Sequence, residues 1–273
     1  MSSALRAITS LTNPRVKAAV HLRDRRERDR TGQTIVDGAR ELLRALESGT
    51  TIVEAFVCDE LIRTAEAESA VRRLETAGAK PMRVSPDVIA KVAFGNRSDG
   101  VAAIVRVPDT SLERLLRVPE ALFVVIESVE KPGNLGAILR TADGAGADAV
   151  IAADPLTDLF NPNAIRASLG TIFSVPIATA TTEAALRWLV SQGIRPIAAR
   201  VDARRTYTEV DFRGPIAIVL GSEADGLSDA WHDPRVEAVQ IPMLGVADSL
   251  NVSAAAAVLL YEAQRQRSAA ADA

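Results

Sequence analysis

Beyond Pro119 the sequence alternates between short apolar runs and longer amphipathic runs, and this alternation constrains the fold more than any other feature. Residues 121–126 are almost entirely apolar, which is typical of a parallel strand buried on both faces. Helical periodicity follows over 134–146, and strand and helix patterns alternate from there to the C-terminus. The pattern predicts an α/β domain with helices on both faces of the sheet. In such domains, ligands bind beyond the carboxyl ends of the strands.

The first hundred residues have a different organisation, with a long helical pattern from Asn13 to about Arg30 followed by shorter alternating elements. This part is predicted to form a small αβα domain with strands 34–36, 52–57, 81–84 and 101–107 and helices 39–47, 66–77 and 86–94. The predicted domain organisation is therefore residues 1–106, a linker over 107–119 and an α/β domain over 120–273. In the second domain the remaining predicted elements are strands 149–153, 175–180, 196–201, 216–220 and 236–241 and helices 162–169, 182–191 and the segment from Asn251 onward.

The supply of cysteine and histidine limits the chemistry that the chain can support. The only cysteine is Cys58 and the only histidines are His21 and His232, so neither a disulfide framework nor a multi-cysteine or histidine metal cluster is expected. The N-terminus lacks a secretory pattern, and no long apolar run is present. We therefore expect a cytoplasmic protein that has no membrane segment, binds no metal and uses no histidine base.

Charge is distributed unevenly along the chain. Residues 1–106 contain 18 Lys and Arg against 14 Asp and Glu, whereas the remainder contains 14 against 21. The basic excess is concentrated near the N-terminus, where the candidate phosphate-binding side chains are Arg15, Lys17, Arg23 and Arg26. A solvated helix face with intrahelical ion pairs explains such a run equally well.

The first of three unusual loops leads into a helix over 134–146. Pro132 and Gly133 predict a turn, and Asn134 is a candidate helix cap. Gly136 and Arg140, four residues apart, share a helix face, so a cation is expected beside a surface that a ligand can approach closely. An ordinary surface arginine is the alternative. The glycine spacing matches neither the dinucleotide-binding fingerprint nor the phosphate loop of nucleotide hydrolases.

The second loop follows the apolar strand 216–220. The strand leads directly into Gly221, Ser222 and Glu223, and Gly226 closes the turn. A glutamate at a strand end can act as a base, bind a hydroxyl or pair with a basic neighbour. Alternatively, Glu223 caps the segment that follows.

The third loop joins the strand 236–241 to an alanine-rich final helix. Ser249 and Asn251 flank Leu250 where this helix begins, so backbone amides and two short polar side chains converge. Such a cluster can hold a ligand. It can equally be a helix cap, with Ser249 or Asn251 accepting a hydrogen bond from a free N–H group.

Together the three loops resemble the SpoU/TrmH class of RNA ribose 2′-O-methyltransferases in the SPOUT superfamily. The three motifs occur in the family's order as N-L-G-A-I-L-R-T-A at 134–142, G-S-E-A-D-G-L at 221–227, and I-P-M at 241–243 with S-L-N-V-S at 249–253. The similarity covers about residues 120–267, with no departure at the motif positions. More weakly, residues 1–106 resemble the ribosomal-protein-like RNA-binding domain that precedes this domain in several ribosomal RNA methylases.

The resemblance implies a deep trefoil knot in the C-terminal domain and S-adenosylmethionine as the cofactor. Backbone groups of Gly221, Ile241 and Leu250 would hold this cofactor, and Met243 and Leu244 would line its adenine. The reaction implied is methyl transfer to a ribose 2′-hydroxyl, which does not require a metal.

The resemblance also assigns the catalytic residues, with Arg140 central. Asn134 and Glu223 would position Arg140 or the ribose, and Ser249 and Asn251 would fix the loop and contact the target nucleotide. The role of Arg140 as a base or as a stabiliser of negative charge stays open, although the very high intrinsic pKa of arginine makes it an awkward base. Electrostatic stabilisation fits that chemistry more easily.

The implied partners are RNA and a second copy of the chain. Arg166 is expected to contact phosphate, and Val258, Leu259 and Tyr261 are candidates for a homodimer interface. Ribosomal RNA, in particular that of the large subunit, is the favoured substrate, with self-protection against a ribosome-targeting antibiotic as one biological role. The alternatives are a transfer-RNA 2′-O-methyltransferase and a non-catalytic RNA-binding or ribosome-assembly protein.

Overall fold

The chain divides into two compact units, each with its own sheet and core. The computed structural model describes residues 7–94, 99–116, 118–222 and 224–271. Unit 1 comprises Met1–Pro108 and Asp158–Ser174, and unit 2 comprises Asp109–Thr157 and Val175–Ala273. Unit 1 therefore includes a segment that the sequence pattern assigns to the second domain.

Unit 1 is built on a four-stranded mixed sheet. Its strands are β1 (Gln33–Asp37), β2 (Ile52–Val57), β3 (Met82–Arg83) and β4 (Val101–Arg106), in the order β1-β4-β2-β3. β4 pairs antiparallel with both β1 and β2, whereas β2 and β3 are parallel. Apolar side chains of this sheet, including Ile35, Phe56 and Ile104, form a buried core with side chains of the surrounding helices.

The helices of unit 1 agree with the sequence pattern except near the N-terminus. They are α1 (Pro14–His21), α2 (Arg25–Thr31), α3 (Ala39–Glu47), α4 (Ala65–Thr76) and α5 (Pro86–Val92). The prediction of one helix from Asn13 to about Arg30 is wrong, because Asp24 has an extended backbone and its side chain accepts a hydrogen bond from the N–H of Arg26. Asp24 thus begins a second helix and separates α1 from α2.

Residues 158–174 of unit 1 contain two short helices, α7 (Pro162–Ala167) and α8 (Thr171–Ser174). Several polar contacts attach this segment to the rest of unit 1. Arg28 Nε lies 2.6 Å from Asp158 Oδ2, Thr34 donates to the carbonyl of Phe160 at 2.7 Å, and Arg44 donates to the carbonyl of Leu169 at 2.6 Å.

Unit 2 contains a seven-stranded sheet in which every neighbouring pair is parallel. Its strands are β5 (Leu122–Glu127), β6 (Ala149–Ala153), β7 (Ile177–Ala180), β8 (Arg195–Ala199), β9 (Arg205–Thr206), β10 (Ile216–Leu220) and β11 (Glu237–Gln240). The order across the sheet is β7-β6-β5-β10-β8-β11-β9. The sequence pattern did not predict β9, whose two residues are too short to give a periodic signal.

Three helices of unit 2 are α6 (Pro132–Gly144), α9 (Thr182–Ser191) and α10 (Val252–Ala271). The core beneath α9 includes a stacked pair, with the rings of Phe123 and Trp188 5.7 Å apart and inclined by 14°. Trp231 is fully buried in the same cluster. Leu259 of α10 is also fully buried. It belongs to the interior of its own chain and is not available for a dimer interface.

Arg267 attaches α10 to the amino ends of two central strands. Its guanidinium donates to the backbone carbonyls of Glu120 at 2.5 Å, Ala121 at 3.0 Å, Phe212 at 3.1 Å and Gly214 at 2.5 Å. Burial lowers the pKa of this arginine. The contacts fix α10 against the sheet at the end opposite to the three unusual loops.

A search of the described residues for membrane-spanning helices finds none with the length and apolar character that a bilayer requires.

Candidate functional site

A large cavity of unit 2 lies at the carboxyl ends of β8, β10 and β11. This large cavity has a volume of about 600 Å³, which is within the usual range for small-molecule sites. Apolar side chains of Leu220, Ile241, Met243 and Leu250 border it. The second and third unusual loops both contribute to its wall, as expected for a parallel sheet.

Gly221 permits a close backbone contact at the edge of the large cavity. Ser222 donates its N–H to the carbonyl of Gly226 at 2.9 Å, and Gly226 returns a bond to Ser222 at 3.2 Å. A Cβ atom at position 221 would lie 2.2 Å from the carbonyl carbon of Gly226 and 2.5 Å from the nitrogen of Leu227. Only glycine allows this tight loop.

The third loop ends in a helix cap that also borders the large cavity. The Asn251 side chain accepts hydrogen bonds from the N–H of Ser253 at 2.9 Å and from its hydroxyl at 2.6 Å. Ser249, Leu250 and Asn251 all line the cavity. Asn251 therefore caps α10 and faces the cavity at the same time, so the two interpretations of this loop are compatible.

A smaller cavity of about 250 Å³ lies beside the large one, at the carboxyl end of β5. The two cavities share a wall, formed by Lys131, Gly221, Ser222, Ala224 and Val252. A group bound in the small cavity would therefore contact some of the same residues as a group bound in the large cavity.

Glu127 is the buried carboxylate of the small cavity, with 4% exposure. It accepts hydrogen bonds from the hydroxyls of Thr182 and Ser228, both at 2.7 Å, and from the N–H of Ser228 at 2.8 Å. These bonds compensate its burial and hold the end of the second loop against β5. The adjacent Ser128 adopts a positive φ of 53°, a strained conformation that recurs at functional sites.

The first loop differs from the predicted turn and cap. Pro132 and Gly133 are the first two residues of α6, and Lys131 is its N-cap residue. Asn134 lies within the first helical turn, so it is not the cap. Instead, its side-chain oxygen accepts from the Asn251 amide at 3.4 Å and links the first loop to the third.

Arg140 is exposed on α6, while Gly136 of the same helix is buried. In the described part of the chain, no hydrogen bond or ion pair engages the Arg140 guanidinium. A cation that is not neutralised within unit 2 can bind an anion from outside. Glu223, the other charged residue predicted to be catalytic, lies outside the described residues.

The predicted cofactor-binding residues are brought together with one exception. Gly221, Ile241, Met243 and Leu250 all line the large cavity. Leu244 does not line it and is 100% exposed, because the loop after Met243 runs along the surface.

The predicted RNA-binding residues fall into two groups. Arg23 donates to the carbonyls of Lys91 and Ala93, and Arg166 pairs with the buried Asp37 at 2.6 Å. Both arginines therefore have structural partners within unit 1.

The other three cations make weaker contacts or none with the described residues. Arg15 is exposed and makes a 3.6 Å ion pair with Glu54 and a contact with the sulfur of Met82. Lys17 and Arg26 are exposed, and the structure assigns their side chains no ion pair among the described residues.

Four charged residues of the large cavity were missed by the sequence analysis. Lys131 and Arg200 supply positive charge, and Asp225 and Asp248 supply negative charge. Arg200 immediately follows β8, so its position at a strand end was a usable signal. Within the described ranges, no group of three or more metal-ligating side chains is arranged to hold a metal ion.

Comparisons with known proteins cover both units. A family model described as the SpoU rRNA Methylase family matches residues 121–261. A second model, described as the MRM3-like substrate binding domain, matches residues 13–103.

Individual relatives align along nearly the whole chain. A Streptomyces viridochromogenes protein named 23S rRNA (uridine(2479)-2′-O)-methyltransferase is 30% identical and covers 97% of this chain and 93% of its own length. The crystal structure of an RNA 2′-O ribose methyltransferase has 39% identity and a TM-score of 0.83, over 96% of this chain and 99% of that one. The AdoMet-bound rRNA methyltransferase of Sinorhizobium meliloti has 30% identity and a TM-score of 0.86, over 95% and 97%.

Proposed function

The chain belongs to the SpoU rRNA methylase family, and from this premise we propose that it transfers a methyl group from S-adenosylmethionine to a ribose 2′-hydroxyl of large-subunit ribosomal RNA. The observation that carries the proposal is the pair of adjoining cavities at one edge of the parallel sheet, lined by all three family motifs. A protein acting on this RNA in a bacterium works in the cytoplasm.

The large cavity fits S-adenosylmethionine in both size and chemistry. Leu220, Ile241 and Met243 offer the apolar contacts that suit a neutral adenine ring, and charges of both signs border the same space. Backbone groups of Gly221, Ile241 and Leu250 would hold the cofactor. The bound cofactor supplies a methyl group activated by its sulfonium charge.

Gly221→Ala is expected to weaken S-adenosylmethionine binding by at least about tenfold. The added Cβ would require backbone atoms of Gly226 and Leu227 to move, which displaces the loop that borders the cavity. Isothermal titration calorimetry measures the effect. Gly245→Ala is the matched control because a Cβ at Gly245 meets no atom within 4 Å, and equal losses in both variants would contradict the role given to Gly221.

The small cavity would receive the acceptor ribose next to the shared wall. Asn134 borders the small cavity and Asn251 borders the large one, and their side chains are hydrogen-bonded to each other. This pair would orient the ribose hydroxyl. Removing the hydroxyl proton leaves negative charge on oxygen. Such charge is stabilised by donors and cations positioned in advance.

Arg140 would supply this positive charge, together with an RNA phosphate that it binds. The guanidinium has a fixed planar arrangement of donors that matches phosphate. We therefore assign Arg140 an electrostatic and orienting role. Ser249 and Glu223 would act with it through the motif positions that they occupy.

Unit 1 would bind the RNA backbone and so add affinity that does not depend on the RNA sequence. Lys17, Arg26 and Arg15 are exposed cations suited to phosphate contact, and residues 13–103 match the family model of the MRM3-like substrate binding domain. Phosphate binding of this kind weakens steeply as salt increases. Arg23 and Arg166 would contribute by maintaining the fold of unit 1.

The trefoil knot and the homodimer are further parts of the proposal. Similarity to SpoU structures supports a knotted C-terminal domain. Tyr261 of α10 is about half exposed and Val258 is partly buried, which leaves apolar surface on the outer face of a long helix. A second copy of the chain would cover this surface.

The experiment that tests the function is transfer of a tritiated methyl group from S-adenosylmethionine. Unmodified ribosomal RNA is expected to accept the label. Transfer RNA, and DNA with the sequence of the ribosomal RNA, are each expected to accept less than about one hundredth as much. DNA lacks the 2′-hydroxyl, so equal labelling of DNA excludes ribose methylation. Preferential labelling of transfer RNA would replace the proposed substrate, and binding of RNA without any transfer would favour the non-catalytic alternative.

A further inference from the structure

Arg200 is a charged side chain of the large cavity that lies outside all three family motifs. It follows β8 directly, and its backbone N–H donates to the carbonyl of Val239 at 2.8 Å. The side chain borders the cavity and is only 16% exposed. An arginine that is largely withdrawn from water must have its charge compensated.

Asp202 compensates part of this charge and fixes the direction of the guanidinium. Arg200 Nε lies 2.9 Å from Asp202 Oδ1, and Nη2 lies 2.6 Å from Oδ2. The hydrogen bond with Arg200 lowers the pKa of the Asp202 carboxyl. Within the described part of the chain, the Nη1 group has no hydrogen-bond partner. The guanidinium is therefore held in one orientation with donors left for a ligand.

The position of Arg200 in the sheet separates it from the acceptor site. β8 lies beside β10 on the side away from β5, and Arg200 borders the large cavity but not the small one. Arg200 is thus expected to contact a part of the cofactor that does not face the shared wall.

The chemistry of the cofactor identifies which part this is. Its sulfonium and ammonium groups are positive and repel a guanidinium, and its adenine is neutral. The methionyl carboxylate is the only anionic group that it carries. Guanidinium and carboxylate form the strongest class of hydrogen bond in proteins, while Asp225 and Asp248 offer negative charge to the cationic groups.

We propose that Arg200 binds the methionyl carboxylate of S-adenosylmethionine and makes the large cavity selective for the intact amino-acid tail. This inference rests on the proposed function, because it concerns the same cofactor site. Asp202 acts as a positioning residue that holds the guanidinium toward the cavity.

The test compares two ligands by isothermal titration calorimetry: S-adenosylmethionine and its decarboxylated analogue. The analogue keeps the adenosine, the sulfonium and the amine and lacks only the carboxylate. Wild-type protein is expected to bind S-adenosylmethionine at least about tenfold more tightly than the analogue. Arg200→Gln is expected to weaken S-adenosylmethionine by about tenfold and to change affinity for the analogue by less than about twofold.

Arg235→Gln is the matched control. Arg235 forms the same two-pronged pair with the aspartate two residues away, at 2.7 and 2.6 Å, but does not border the cavity. It should leave both affinities unchanged. The inference is overturned if Arg200→Gln lowers the affinity for both ligands equally. It is also overturned if the preference for S-adenosylmethionine over the analogue is lost on substitution of Lys131 and kept on substitution of Arg200. If wild-type protein binds S-adenosylmethionine and the analogue with equal affinity, only the inference fails. If it binds neither ligand, the proposed function fails as well.

Discussion

Arg140→Ala is expected to reduce methyl transfer to ribosomal RNA by at least about 100-fold. The substitution removes a cation that no described residue of unit 2 neutralises, and the RNA phosphate that Arg140 would bind and orient then loses its partner. Arg140 is exposed and borders neither cavity, so the fold and the affinity for S-adenosylmethionine should stay within about twofold of wild type. Single-turnover assays at saturating RNA measure the chemical step directly.

Arg187→Ala provides a matched control for this prediction. Arg187 is also an exposed arginine on a helix of unit 2, but it lies on α9 and outside every motif. Transfer by this variant should remain close to wild type. Near-normal turnover by Arg140→Ala, or an equal loss in Arg187→Ala, would contradict the assignment of Arg140 to the site.

Arg28→Ala is expected to lower the free energy of unfolding by about 3–5 kcal/mol. Arg28 is 4% exposed, and its guanidinium binds Asp158 together with the carbonyls of Leu22 and Arg23. Removing it leaves a mostly buried carboxylate and two carbonyls without their donor. Urea denaturation followed by circular dichroism measures the change, with the transition of unit 1 affected first.

Arg26→Ala is the control for Arg28→Ala. The two arginines lie two residues apart on α2, but Arg26 is exposed and makes no side-chain ion pair among the described residues. Its substitution should change stability by less than about 0.5 kcal/mol and should weaken RNA binding. If both variants lose similar stability, the buried pair with Asp158 is not what attaches residues 158–174 to unit 1.

The strand ends of unit 2 were predictable because buried parallel strands have a strong local signature. The apolar run 216–220 matches β10, so the position of Gly221 at its carboxyl end followed from the sequence. The predicted strand 236–241 ends one residue beyond β11, so the same reasoning located Ile241 at a strand end. Ligand-binding loops occur at these ends for topological reasons, and four of the five predicted cofactor residues therefore border one cavity.

The roles of individual arginines could not be predicted, because they depend on distant partners. Arg28 belongs to a basic run in the sequence, yet its partner Asp158 is 130 positions away. Arg166 has its partner 129 positions away, at Asp37. Local patterns carry no information about such pairs. For the same reason the sequence did not indicate that residues 158–174 pack with unit 1.

The prediction of helix boundaries was limited by competing local signals. Asp24 lies within the helical pattern predicted from Asn13 to about Arg30, whereas its side chain caps a second helix. Asn134 has a strong capping preference, but Pro132 is equally suited to the first turn, and the helix begins at the proline. The side chain of Asn134 instead accepts a hydrogen bond from Asn251, which is the more informative contact for function.

The central claim is that the two adjoining cavities support methyl transfer to a ribose hydroxyl. The most direct measurement is mass spectrometry of the nucleosides obtained by complete digestion of ribosomal RNA after incubation with the protein and S-adenosylmethionine. We predict a single 2′-O-methylated nucleoside with wild-type protein and none with Arg140→Ala. A methyl group found on a base, or the same ribose-methylated product with Arg140→Ala, would contradict the account.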